Sequence, residues 1–308
     1  MIPDISVIIC THNPQRDYLD KVIQALKSQT LPMEQWELLL IDNASNSLLA
    51  KSIDLSWHSQ ALQIREEKLG KSYALLNGFR EARAELLVTV DDDNVLDSDY
   101  LKIALQISRE WPVLGAWGGQ IKPDFEETPP DWTKPYWPML AIREFDRDKW
   151  SNLLYQHETT PPGAGMCVRK IVTEKYMELV GDQPERAGIG PKGKLLTRCE
   201  DSDLAFTACD IGLGTGQFTS LKLTHLIPSS RLQENYLLRL VEGICYSATL
   251  LNFFWGKLPP NPPKPFWRRL LQYCRRWRMN PRTRRFCDAE QRGIALALKE
   301  IDNRLNFQ

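Results

Sequence analysis

Three consecutive aspartates, residues 91–93, follow directly after the apolar run 86–90. A continuous run of Leu, Val and Thr without alternation predicts a buried parallel strand that is covered on both faces. The acids then stand at its carboxyl end, where open α/β sheets bind their ligands. Adjacent carboxylates repel one another, and Mg²⁺ or Mn²⁺ shared with a phosphorylated substrate would compensate that charge. The alternative is a solvated acidic turn before a helix capped by Asp97 or Ser98.

The composition is that of an ordinary globular protein. Charged residues make up 25% of the chain and the formal net charge is zero, so nothing points to nucleic acid as a partner. Seven widely spaced cysteines predict reduced thiols and hence a cytoplasmic protein, rather than disulfides or a zinc site. We expect no signal peptide, because Asp4 interrupts the first apolar stretch. Residues 237–255, which carry Arg239 and Glu242, predict an amphipathic or buried helix rather than a membrane span.

Strands and helices are predicted to alternate over residues 1–122, which favours a doubly wound parallel sheet. The predicted strands are 5–10, 36–41, 62–65, 86–91 and 114–121, and the helices are 16–29, 73–84 and 99–111. Polar residues end three of these strands, at Thr11, at Asp42 and at the aspartates 91–93, and we expect them to face one cleft. For Asp42, a purely structural Asx turn is the alternative.

The two commonest phosphate-binding loops are missing from this predicted sheet. Gly70-Lys71-Ser72 lacks the frame of a Walker loop, and no G-x-G-x-x-G pattern follows the first strand. Metal-assisted binding of phosphate therefore remains as the interpretation.

The second half of the chain opens with an irregular, proline- and aromatic-rich segment, 122–150. Its Trp132 and Trp137 could stack on a sugar ring or simply pack onto the domain. Small residues that include Gly163 and Gly165 then precede a predicted strand, so that backbone can approach a ligand closely. The glycine-rich stretch 181–194 predicts a mobile loop that could close over the site.

Acidic residues gather again before a helix that is predicted to end at Gly212. Glu200, Asp201 and Asp203 could simply complement the helix dipole, or one of them could serve as a catalytic base. Residues 215–226 predict a long strand or a strand pair that carries His225, a residue type that more often completes a core than binds a metal.

The end of the chain differs in composition. Residues 257–265 contain five prolines and predict a semi-rigid linker. Residues 264–285 hold nine basic residues and no acid, interleaved with aromatic residues, which predicts an interfacial helix attracted to anionic lipid. The alternatives are a helix packed on the domain with a solvated basic face, and nucleic-acid contact. An amphipathic helix is predicted at 286–305.

Taken in order, these segments resemble the inverting family 2 glycosyltransferases, which have the GT-A fold. The resemblance covers about residues 4–255 and rests on several short pieces. They are the strand and turn 6–13, the strand 37–45, the segment 70–78, the D-x-D motif Val90-Asp91-Asp92-Asp93, and the E-D pair of Cys199-Glu200-Asp201.

The resemblance implies an α/β fold of the GT-A type, Rossmann-like, as in nucleotide-diphospho-sugar transferases. A mostly parallel central sheet flanked by helices would occupy residues 1–256, with a nucleotide-binding half at 1–122 and an acceptor half at 123–256. Residues 257–308 would form a C-terminal extension of linker and helix.

The resemblance also implies roles for single residues. Asp201 would be the catalytic base, and Asp93 would bind Mn²⁺ or Mg²⁺ with His225 as a further ligand. The donor nucleotide would contact Thr11, Asn13, Asp42, Lys71, Asp91 and Asp92. The acceptor side would contain Glu200, Gly163, Gly165, Trp132 and Trp137.

The implied activity is the transfer of a sugar, with inversion, from a nucleotide-diphosphate sugar to an acceptor hydroxyl. A UDP-sugar is the favoured donor, and a glycan or a lipid-linked saccharide is the acceptor. The Q-x-x-R-W motif of processive synthases is not matched by Ser229-Ser230-Arg231-Leu232, which favours a single transfer. The alternatives are a nucleotidyltransferase, which would release pyrophosphate, and a non-catalytic nucleotide-binding scaffold. The expected location is the cytoplasm or the inner face of the plasma membrane.

Overall fold

The computed structural model describes residues 2–190, 196–257 and 279–306. The strands are β1 Ile5–Thr11, β2 Trp36–Asn43, β3 Ala61–Glu66, β4 Leu86–Asp91, β5 Asn94–Leu96, β6 Leu114–Phe125, β7 Lys149–Ser151, β8 Cys167–Arg169 and β9 Gly214–Ile227. The α-helices are α1 Arg16–Lys27, α2 Lys71–Glu81, α3 Tyr100–Glu110, α4 Lys170–Asp182, α5 Glu200–Asp210, α6 Glu234–Phe254 and α7 Pro281–Asn306.

One mixed sheet runs through the molecule in the order β3-β2-β1-β4-β8-β6-β9-β5, with β7 paired to β9. Strands β3, β2, β1 and β4 are parallel, as the sequence predicts. The predicted parallel sheet over residues 1–122 is interrupted, because β8 lies antiparallel between β4 and β6. Three residues of β8 are enough to make this insertion, and so short a strand gives little periodicity to detect.

The parallel strands are buried on both faces, which explains their unbroken apolar sequences. On β1, Ile5, Val7 and Ile9 belong to the core between the sheet, α1 and α3. Ile8, on the same strand, belongs to the opposite core, which α2, α4 and α5 cover. Alternate side chains therefore pack against different helix layers, so both must be apolar.

Two segments that were predicted to be irregular contain regular structure. Within 122–150, β6 continues to Phe125, a 3₁₀ helix spans Asp131–Leu140, and β7 follows. Within 181–194, a 3₁₀ helix spans Pro184–Ile189, and its Arg186 is only 2% exposed. The described part of the predicted mobile loop is therefore packed into the domain, and residues 191–195 lie outside the described residues.

Helix α6 packs along α7 and also lines a cavity at the carboxyl ends of β1 and β4. By length and composition alone α6 could cross a membrane, but 39% of its most apolar window is buried inside the structure. One such helix is weak support for a membrane span. The two helices touch closely at Gly293, where an added Cβ would lie 2.2 Å from the carbonyl oxygen of Glu242.

The C-terminal predictions are only partly open to comparison. Residues 258–278, which hold most of the predicted linker and basic helix, lie outside the described residues. In the part that is described, Arg282 and Arg285 form ion pairs with Glu234 of α6, at 3.2 and 2.8 Å. This part of the basic segment follows the packing alternative.

The contact at Gly293 predicts opposite outcomes for two alanine substitutions. Gly293→Ala should lower the free energy of unfolding by about 1 kcal/mol or more, because the collision with backbone outweighs the gain in helix propensity. Gly181→Ala, on α4 with nothing within 4 Å of the added Cβ, should raise it by up to about 1 kcal/mol. Urea denaturation measures both. A stabilised Gly293→Ala variant would contradict the close crossing.

Candidate functional site

A cavity of about 720 Å³ lies at the carboxyl ends of β1 and β4. The N-terminus of α5 and one side of α6 form its opposite wall. Parallel pairing places Cys10 directly beside Asp91, so the two strands deliver their polar ends to the same place. The cavity therefore collects the aspartates 91–93, Thr11, Lys71 and the Glu200-Asp201 pair, as the sequence predicts.

Lys71, the first residue of α2, joins the two acidic segments. Its Nζ lies 2.5 Å from Oδ1 of Asp91 and 3.7 Å from Oε1 of Glu200. Burial by itself lowers the pKa of Lys71, but the two carboxylates outweigh burial and raise that pKa above its usual range. The lysine is therefore a fixed positive charge at the centre of the cavity.

Two of the acids in the cavity hold their protons more tightly than usual. Burial, reinforced by Asp93, raises the pKa of Asp92 to about 6, against a hydrogen bond that Thr11 Oγ1 donates to its Oδ2. Burial likewise raises the pKa of Glu200 to about 7, although Lys71 opposes the shift. The second oxygen of Glu200, Oε2, is buried and has no hydrogen-bond partner among the described residues.

Asp93 is surrounded by positive and hydrogen-bonding groups. Its Oδ2 lies 2.9 Å from Nη2 of Arg231 and 3.4 Å from Nε2 of His225. The pairing of β5 with β9 sets Asn94 opposite His225 and so brings the imidazole to the aspartate. Burial alone raises the pKa of Asp93, but His225 and Arg231 together bring that pKa below its usual range.

The residues around Asp93 offer part of a metal site. No cluster of three or more His, Cys, Asp or Glu residues is arranged to hold a metal ion within the described ranges. Asp93 and His225 offer one carboxylate and one imidazole, and His225 Nδ1 is buried without a hydrogen-bond partner among these residues. This donor set fits a cation that takes its remaining ligands from a diphosphate, as Mg²⁺ commonly does.

Asp201 is held by two backbone amides. Its Oδ2 accepts a hydrogen bond of 2.9 Å from the N–H of Gly163, and its Oδ1 accepts one of 2.7 Å from the N–H of Ser202. Gly163 is fixed in turn, because its carbonyl accepts a hydrogen bond from Thr89 on β4. The carboxylate therefore faces the cavity in one orientation, with lone pairs left to accept a proton.

Three predicted contacts do not line the cavity. Asp42 accepts a hydrogen bond from the N–H of Ser45 and pairs with Arg65 at 2.9 Å, which is the Asx-turn alternative. Asn13, with a φ of 49°, accepts a hydrogen bond from the N–H of Asn46. Gly165, with a φ of 71°, lies beneath the site, where its carbonyl accepts a hydrogen bond from Tyr100. Direct ligand contact by these residues stays a prediction.

Trp132 and Trp137 also lie away from the cavity. Trp132 lies 4.3 Å from the guanidinium of Arg282, and Trp137 packs on Phe125 with ring centroids 5.0 Å apart. The prediction that they contact an acceptor is not supported by this placement. The alternative, packing onto the domain, describes both rings, because the 3₁₀ helix turns them towards α7 and β6.

The sequence analysis missed three arginines of the cavity, Arg143, Arg198 and Arg231. Arg231 was compared only with the Q-x-x-R-W motif, although an acidic cluster of this size needs nearby cations. Asp203, by contrast, lies outside the cavity and is fully buried against Arg186 and Trp255, at 2.6 and 2.7 Å. It holds α5 to the end of α6.

The burial of Glu200 predicts a dependence of stability on pH. Its pKa rises from 4.5 to about 7 on folding, so the folded state binds the proton more tightly. The stability that this tighter proton binding provides is fully present below pH 4.5, declines as the pH rises through about 7, and then levels off. As the pH rises from 5 to 8, the free energy of unfolding of Glu200→Gln should rise relative to that of the native protein by on the order of 1–3 kcal/mol. Urea denaturation across this range tests it, and parallel curves would contradict it.

Comparison with known proteins is consistent with this geometry. Glycosyltransferase AglE of Haloferax volcanii is 27% identical over 95 residues, which cover 30% of this chain and 31% of that protein. The crystal structure of S. aureus TarS has a TM-score of 0.53 at 15% identity, over 82% of this chain and 43% of that chain. The chain thus matches about a third of AglE and less than half of TarS, and the TarS likeness shows the fold alone.

The family comparison covers more of the chain. A family model described as Glycosyl transferase family 2 matches residues 6–172, which is more than half of the 308 residues. This match includes the strand ends, Lys71 and the aspartates 91–93, and together with the TarS fold it confirms the predicted family and fold class. The chain therefore belongs to glycosyl transferase family 2.

Proposed function

We propose that the protein is a metal-dependent inverting glycosyltransferase that uses Asp201 as its base. The donor is a nucleotide-diphosphate sugar, with UDP as the favoured nucleotide, and the acceptor is a hydroxyl of a glycan or lipid-linked saccharide. The observation that carries the proposal is the fixed carboxylate of Asp201, which shares one cavity with Lys71 and the aspartates 91–93. A base and a diphosphate site must lie this close for direct displacement.

The donor side already contains the charges that a diphosphate requires. Lys71 Nζ and the Arg231 guanidinium each contact a carboxylate of the cavity and can turn towards phosphate oxygens. Asp93 and His225 are the residues that would hold Mn²⁺ or Mg²⁺, which supplies neutralisation of the negative charge on the leaving diphosphate.

The acceptor side supplies the proton transfer. Asp201 accepts the proton of the acceptor hydroxyl while the hydroxyl oxygen attacks the anomeric carbon from the face opposite the diphosphate. The bond between the anomeric carbon and the diphosphate oxygen breaks in the same step, so the configuration inverts. The amides of Gly163 and Ser202 keep the carboxylate in position while it takes up the proton.

The cytoplasmic location and the lipid-binding surface at residues 264–285 remain part of the proposal. The cysteines of the described residues are free thiols, which supports a reducing compartment. They are Cys10, Cys167, Cys199, Cys209, Cys245 and Cys287. Most of the proposed lipid surface lies outside the described residues.

The first experiment is calorimetric titration with UDP, GDP, dTDP and ADP, with and without Mn²⁺. We expect tight, metal-dependent binding of one diphosphate, with UDP as the favoured one. Asp93→Asn should weaken the Mn²⁺-dependent binding about tenfold or more, because it removes the charge that holds the cation. Asp146→Asn, at an exposed position outside the cavity, is the matched control. Unchanged metal dependence in Asp93→Asn would contradict the role of Asp93.

Asp201→Asn should lower the rate of transfer about 10²- to 10⁴-fold, because the amide cannot accept the proton. The affinity for the nucleoside diphosphate should stay near normal, since the change preserves shape and lies on the acceptor side. Rate measurement and nucleotide titration on the same protein separate the two effects. Loss of nucleotide binding together with transfer would point to a damaged cavity and count against the assigned role.

A further inference from the structure

One wall of the catalytic cavity is apolar, although its floor is strongly charged. The side chains that form this wall come from α6, from the end of the 3₁₀ helix Asp131–Leu140 and from Leu196, the first residue of the second described range. They are Pro138, Met139, Leu196, Ile244, Ala248 and Leu251. The aspartates do not explain such a surface.

The apolar wall begins beside the catalytic base. Leu196 lies against α6, since an added Cβ at Gly243 would be 2.5 Å from the Leu196 carbonyl oxygen. Two residues later, the N–H of Arg198 donates to Ser247 of α6 at 3.3 Å. The chain then turns into α5, whose second residue is Asp201. A molecule whose hydroxyl reaches Asp201 can therefore place its other end on the wall.

Two arginines border the wall without a carboxylate partner among the described residues. Arg143 donates from Nη1 to the carbonyls of Pro138 and Ile142, at 2.8 and 2.9 Å, which fixes the guanidinium and leaves its other N–H groups unused. Arg198 contacts only the hydroxyl of Tyr236, at 3.4 Å, among the described side chains. Lys71 and Arg231, by contrast, are already neutralised by acids. Neither bordering arginine therefore has an ion-pair partner within 4 Å among the described residues, although Asp201 acts electrostatically on Arg143 and Asp93 acts on Arg198.

We propose that the acceptor is an anionic amphiphile, a saccharide joined to a lipid chain through a phosphate ester. This inference rests on the proposed function and specifies its acceptor. The phosphate binds Arg143 and Arg198, whose planar guanidinium groups match phosphate oxygens in charge and geometry. The first part of the lipid chain lies on the α6 wall, where its burial is favourable. A neutral glycan would use neither feature.

The experiment titrates the full chain with n-alkyl phosphates from methyl to octyl, below their micellar concentrations. Each titration is done in saturating Mn²⁺ and the nucleoside diphosphate that the protein binds, so that the donor site is filled. We expect affinity to rise up to about fourfold for each added methylene that is buried. Octanol and inorganic phosphate, which each carry one half of the recognition, should bind much more weakly than octyl phosphate.

A pair of arginine variants tests the binding of the phosphate group. Arg143→Gln should weaken octyl phosphate about tenfold or more and leave octanol unaffected, because it removes a charged donor and leaves an uncharged polar side chain. Arg147→Gln, at an exposed position in the same segment and outside the cavity, should bind octyl phosphate like the native protein. Nucleotide titrations of both variants show whether the donor site is intact.

Three results would overturn the inference. Methyl phosphate that binds as tightly as octyl phosphate would show that the wall holds no chain. Displacement of octyl phosphate by the nucleotide would place the phosphate in the donor site, and equal effects of the two arginine substitutions would remove the role of Arg143. Failure of every nucleoside diphosphate to bind would instead overturn the proposed function, whereas nucleotide binding without alkyl phosphate binding removes only this acceptor.

Discussion

The structure depends on the neutralisation of five carboxylates that meet in one partly buried cavity. Asp91 ends β4, Asp92 and Asp93 follow in the turn before β5, and Glu200 and Asp201 begin α5. Burying charges of one sign is unfavourable unless cations and hydrogen-bond donors are placed among them. Lys71, His225 and Arg231 come from distant parts of the chain, so the cavity is stable only when α2, β9 and the segment after β9 are all in place.

The same arrangement prepares the site for a change of partners. Lys71 and Arg231 are each paired with an acid of the cavity, and the diphosphate of the proposed donor would compete with those acids for the two cations. A cation held by Asp93 and His225, as proposed, would compensate the carboxylate that Arg231 then leaves. Lys71 and Arg231 would then exchange one anionic partner for another within the cavity, which keeps the reorganisation of the protein small. Asp201 stays outside this exchange, because backbone amides hold it.

The sequence predicts best those features that local pattern controls. Strands β1, β2 and β4 have unbroken apolar runs because both faces are covered, and their polar ends mark the cavity. The insertion of β8 could not be predicted, since three residues carry no period and their partners are about 50 to 80 positions away. For the same reason Arg231 was not linked to Asp93, and the pairing of Asp42 with Arg65 and of Trp132 with Arg282 could not be predicted.

The antiparallel strand β8 also decides which part of the chain can fold by itself. β8 comes from residues 167–169, yet it covers the edge of β4, the strand that delivers the aspartates. A fragment that ends near residue 122 would leave that edge with unpaired backbone groups, which invites association with other chains. Residues 1–122 are therefore a region of the sheet and not an autonomous unit. During synthesis β4 waits about 75 residues for β8, and a slow, late-closing sheet follows from that separation.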